Sequence, residues 1–117
     1  MNYRIITLTQ GNLNNNHLYL KDAWQLIPDD VVDGGNESES ASRTLEINYG
    51  SSKTIITDVA GDKKIFRKRA WVREFFRMHQ LKAGSRVVIE KAVHIAYTSI
   101  QLANYAFHAN AHIKKKS

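Results

Sequence analysis

The chain has 117 residues, a formal net charge of +6 and no cysteine, which suits one domain with its own core and excludes disulfides and thiolate metal sites. No apolar run approaches the ~18 residues of a membrane span, and the N-terminus lacks the apolar centre of a signal peptide, so a soluble cytoplasmic protein without a membrane partner is expected. Residues 1–60 carry four basic and eight acidic side chains, whereas residues 61–117 carry thirteen and three, so the second half is where a polyanion would bind, a basic face that merely keeps the protein soluble being the competing explanation.

Arg4 to Thr9 is short and β-branched and predicts a strand. Gln10 to Asn16 is too rich in Asn to continue either periodic structure and predicts a loop. His17-Leu18-Tyr19-Leu20 predicts a second strand, and Lys21 to Leu26 one helical turn with Trp24 and Ile27 inward, stopped by Pro28. Asp29 to Ser42 is acidic and nearly free of large apolar residues after Val32, so an exposed loop is expected there, away from bound phosphates.

Arg43 to Asn48 alternates with period two, Tyr49-Gly50-Ser51-Ser52 reads as a turn, and Lys53 to Asp58 as a return strand. Lys63 to Arg67 predicts a short strand after the turn at Ala60-Gly61. From Arg69 to Gln80 the apolar residues Trp71, Phe75 and Met78 recur at helical spacing with Val72 and Phe76 beside them. Arg69, Arg73 and Arg77 step by four along another face, and Gly84 stands near the expected C-terminal cap. Arg86 to Glu90 and Val93 to Ile100 predict the last strands. The sum is a mainly β domain over residues 1–101, with seven short strands and two short helices in a mostly antiparallel sheet closed or half closed into a barrel. A basic tail, residues 102–117, follows.

Pro28-Asp29 with Asp62-Lys63-Lys64 loosely matches a metal-dependent nuclease, in which two carboxylates hold Mg²⁺ and a lysine orients water. A small nuclease using Asp62 and Lys64 is therefore the alternative function, although Asp62 follows a glycine in a turn. His112-x-Lys114 lacks the aspartate of a phospholipase-D-type motif. His108 and His112 have zinc-sharing spacing, but Ala109 replaces the needed glutamate and no third ligand is evident. No Gly-rich phosphate loop, nucleophile elbow or catalytic carboxylate pair is found, so the chain alone is not expected to be an enzyme or to need a cofactor or metal.

Two segments suit a nucleic acid. Gln10, Asn12, Asn14, Asn15, Asn16 and His17 cluster in the first loop, and Asn and Gln pair N6 and N7 of adenine; turn chemistry is the competing explanation. Lys63, Lys64, Arg67, Lys68 and Arg69 place five cations within seven residues, more than solubility requires. Arg grips guanine with two hydrogen bonds, and Lys more often neutralises phosphate. Trp71, Phe75 and Phe76 fit core packing better than base stacking, so double-stranded DNA is preferred over single strands.

The order of these features resembles the DNA-binding pseudobarrel family, which includes the plant B-three domain and the recognition domains of restriction enzymes such as EcoRII and BfiI. The likeness rests on Leu8-Thr9 through Asn16-His17-Leu18-Tyr19-Leu20, on Thr57-Asp58, Arg67 and Arg69, on Trp71 to Phe76, and on Leu81 to Ile89, where Ser85 replaces the family's acid. It implies a seven-stranded open pseudobarrel holding the major groove between two arms, Gln10 to His17 and Asp58 to Arg69. It also implies a recognition module of a restriction-modification system, working with a catalytic domain or subunit.

Overall fold

The computed structural model describes residues 2–33, 41 and 43–106. The His108/His112 pair, the His112-x-Lys114 match, Lys114 to Lys116 and most of the acidic stretch, residues 34–40 and 42, lie outside these residues.

Among the described residues seven strands form a mainly β structure. Five make one mixed sheet in the order β1-β6-β7-β2-β3: β1 (Tyr3–Thr7), β6 (Arg86–Val93), β7 (Thr98–Asn104), β2 (Leu45–Gly50) and β3 (Lys53–Thr57). All neighbours are antiparallel except β7 and β2. The two remaining strands, β4 (Val59–Ala60) and β5 (Ile65–Phe66), form a separate antiparallel ribbon. The large sheet is open, with β1 and β3 at its edges.

β2 shows why this face is buried. Its residues alternate across the sheet, so Leu45, Ile47 and Tyr49 all point into the core. Opposite them lies α2 (Ala70–Met78), whose Trp71, Val72, Phe75 and Phe76 are buried. Trp71 packs with ring centroids 5.2 Å from Tyr49 and 5.6 Å from Phe66, and its indole N–H donates to the Lys68 carbonyl at 2.6 Å. Val87 and Ile89 of β6 and Ile100 and Leu102 of β7 complete the same cluster.

The Asn-rich segment differs from the expected loop. Gln10–Asn15 is an α-helix, α1, because its polar side chains bond the backbone instead of competing with it. Thr9 Oγ1 accepts from the Asn12 backbone N–H at 3.1 Å, while Asn12 Oδ1 accepts from the Thr9 N–H at 2.8 Å, a reciprocal capping box. Asn16 ends the helix in the left-handed region at φ 52°.

His17 to Leu20 is not a strand. Leu18 and Leu20 are buried as the alternation predicts, but only one backbone bond, from Leu20 N–H to the Lys64 carbonyl at 2.8 Å, ties the segment to the ribbon. A 3₁₀ helix at Lys21–Leu26 follows and buries Ala23 and Leu26. A second, Asp29–Val31, pins the start of the acidic stretch to the core through Val31, so Asp29 to Asp33 is not a wholly exposed loop.

α2 stops before Gly84. Leu81 N–H donates to the Phe76 carbonyl at 2.9 Å and Gln80 N–H to the Arg77 carbonyl at 3.2 Å, with Gln80 at φ 52°. That is the double bond of a Schellman cap with Gln in the position glycine usually takes. Gly84, at φ 90°, instead turns the chain into β6. β6 runs three residues past its expected end and turns through His94 to Tyr97, whose rings stack at 4.3 Å. β7 then starts later than expected and runs on to Asn104, burying Leu102 beyond the expected end of the folded unit.

Candidate nucleic-acid interface

The second arm is built on the ribbon, with Val59 opposite Phe66 and Ala60 opposite Ile65. Its turn closes through a 2.8 Å bond from Lys64 N–H to the Ala60 carbonyl, with Lys64 at φ 55°. Asp62 Oδ1 accepts the Lys63 N–H at 2.9 Å, so this carboxylate serves the turn. No three His, Asp or Glu side chains are grouped to hold a metal ion among the described residues. Gly61 must be small: an added Cβ would lie 2.9 Å from a Val32 methyl and 3.0 Å from the Asp33 carbonyl.

A carboxylate from the acidic stretch fastens this arm. The Asp33 side chain is only 2% exposed; it accepts the Gly61 N–H at 2.9 Å and pairs with the Arg67 guanidinium. Arg67 Nε also donates to Asp58 Oδ1 at 2.7 Å. Arg67 and Asp58 thus lie against each other at the base of the ribbon, and two edges of the guanidinium face protein carboxylates. Lys64 extends its ammonium over the Trp24 ring, 5.2 Å from the centroid. Lys63, Lys68 and Arg69 are exposed, and no carboxylate pairs with them among the described residues.

On the first arm, Gln10, Asn14 and Asn15 are exposed, Asn16 and His17 half-buried, and Asn12 buried. Asn12 is committed to the cap. Gln10 Nε2 donates to Asn14 Oδ1 at 3.0 Å, and Asn15 Nδ2 to the Gly11 carbonyl at 3.0 Å, which leaves part of each exposed amide open to a ligand.

The arms meet at His17 and Arg69, 52 residues apart in the chain. Arginine only donates, so the Arg69 guanidinium fixes His17 Nε2 as an acceptor. The ring proton then sits on Nδ1 and bonds the Tyr19 hydroxyl at 2.9 Å. Burial first, then the charges of Arg69 and Lys63, hold the His17 pKa below its ordinary value.

Two cations outside the expected arms adjoin this junction. Arg73 and Arg77 are exposed on α2, and with Leu13 and Asn16 of the first arm they line an open groove of about 430 Å³. The step of four from Arg69 was the available signal for them; its use depended on where α1 packs. No family model, curated protein or solved structure matches the chain.

Proposed function

We propose that this chain is a sequence-specific double-stranded DNA-binding module, a variant of the open pseudobarrel, that grips the major groove between α1 with Asn16 and His17 on one side and the β4–β5 ribbon on the other. The observation that carries the reading is the junction at His17 and Arg69. It joins an amide-rich segment, suited to base edges, to a cationic segment in which Lys63, Lys68 and Arg69 pair with no carboxylate among the described residues, suited to phosphate and guanine. The large sheet and α2 supply a packed support behind both.

Within this reading the roles divide. Gln10, Asn14 and Asn15 carry exposed groups for base contact, while Lys63, Lys68 and Arg69 neutralise phosphates. Asn12, Asp58 and Arg67 hold the arms in shape, and Lys64 rests on Trp24. The setting we propose, target recognition in a restriction-modification system with a separate catalytic domain or subunit, rests on the likeness of the Leu8–Leu20 and Trp71–Ile89 phrases to that family.

Selection from random duplex DNA by the purified chain tests the reading. An enriched motif is expected, with affinity falling as salt rises by roughly 3.5-fold per neutralised phosphate between 50 and 200 mM. Asn14→Ala is expected to cost about 1–3 kcal/mol on the preferred site if its amide pairs an adenine. Recovery of no motif, with affinity indifferent to salt, would refute it.

A further inference from the structure

We infer that the arginine face of α2 is a second DNA-contacting surface, a track for the sugar-phosphate backbone of one strand of the duplex whose groove the arms enter. The inference rests on the duplex-binding reading and extends it from Arg69 of the second arm to Arg73 and Arg77, which lie outside both arms.

Arg69 occupies the N-cap position of α2, and Arg73 and Arg77 follow at i, i+4 spacing on its exposed side, away from the buried Trp71, Val72 and Phe75. Like charges at that spacing repel, and the helix's one acid, Glu74, although it lines an open surface together with Arg73 and Arg77, is paired with Lys53 of β3. Among the described residues Arg73 and Arg77 make no ion pair. Core packing accounts for the apolar face and the His17 contact for Arg69, yet neither calls for Arg73 and Arg77.

Placement supplies the second observation. The groove lined by Arg73 and Arg77 also contains Asn16, and Asn16 is followed by His17, which holds Arg69. The track is therefore continuous with the junction of the arms. From Arg69 to Arg77 the helix rises about 12 Å, the axial length over which one strand of a duplex presents roughly three to four phosphates. Three guanidiniums along that length match a phosphate row in sign, number and spacing. Because phosphates look alike at every base pair, the track adds affinity and fixes register without adding sequence preference.

The test compares the wild-type chain with Arg73→Gln/Arg77→Gln on two duplexes, one carrying the selected motif and one scrambled, by fluorescence anisotropy from 50 to 200 mM salt. Loss of two phosphate contacts lowers the log-log salt slope by about 1.8. The wild type should thus lose about 12-fold more affinity across that range than the variant, on both duplexes alike, with the preference ratio unchanged. Arg73→Lys/Arg77→Lys should restore the slope, and equal thermal melts confirm that the exposed substitutions leave the fold intact. If the wild type binds with a steep slope and the glutamine variant keeps that slope, the track is refuted while the duplex reading stands. A collapse of the preference ratio in the variant refutes a phosphate track in favour of base contact. If the wild type binds neither duplex, both readings fall.

Discussion

Replacing Arg67 by methionine keeps the aliphatic stem but removes the guanidinium that spans Asp33 and Asp58. Asp33 is then a carboxylate, 2% exposed, that retains the Gly61 N–H and loses the Arg67 guanidinium. Breaking a fully buried pair costs about 3–5 kcal/mol, and an exposed pair about 0–1. Arg67 is 38% exposed, so solvent screens part of the effect and about 2 kcal/mol is expected. For a folded unit of this size that is a fall in Tm of roughly 8–16 °C. Urea denaturation of the wild type, Arg67→Met, Asp33→Asn and the double variant forms a cycle, in which the double variant should lose less than the two single losses combined. DNA affinity measured well below the transition should change little. The opposite pattern, stability within about 0.5 kcal/mol of wild type with the preferred site lost, would show that Arg67 reads bases and does not brace the ribbon.

Protonation of His17 should weaken the fold. Its folded-state pKa is depressed by burial, Arg69 and Lys63, so below its ordinary value of 6.5 the unfolded chain binds the proton more readily. Stability contributed by the neutral ring is complete above that value and is lost as pH falls through the folded pKa. Melts of wild type and His17→Gln between pH 7.5 and 5.5 check this, the wild type showing the larger decline. Gln80→Gly should stabilise by about 0.5–1 kcal/mol, since glycine relieves the left-handed strain at the Schellman position; an unchanged Tm would argue against that cap. Gly50→Ala should destabilise by about 1–3 kcal/mol. Its φ is 117° and a Cβ would sit 2.6 Å from His79 Nε2, which itself lies 2.8 Å from the Tyr49 carbonyl oxygen. A chemical-denaturation midpoint equal to that of the wild type would contradict the clash.

Elements that declare themselves by periodicity were legible before the structure. Leu45, Ile47 and Tyr49 mark β2, and Trp71, Val72, Phe75 and Phe76 mark α2, because each set must face one core. α1 was not legible, since Asn12 stabilises a helix only as a partner in the Thr9 cap, whereas its propensity points to a turn. The His94 to Tyr97 turn contains no Gly, Pro or Asn and is closed by ring stacking and a 2.8 Å bond from the His94 N–H to the Tyr97 carbonyl. At the candidate site both cationic and amide segments could be read from composition. The division of labour among the cations could not, because Arg67 is set apart from Arg69 by the carboxylates beside it, and one of these, Asp33, lies 34 positions earlier.

The position of β7 bears on how the chain reaches its fold. β2 and β3 can pair as a local hairpin, but β1 and β6 join residues 79 to 87 positions apart. The last strand inserts between these two halves, zipped to β6 on one side and to β2 in parallel on the other. Until residues Thr98 to Asn104 arrive, the halves share no ladder, and neither offers the inner face of α2 a complete floor. High-separation contacts of this kind slow folding and gather it into one cooperative step. A nascent chain ending short of β7 would expose the flank of β2 and the apolar side of α2, so the support for both arms is completed only as the final strand closes the sheet's middle.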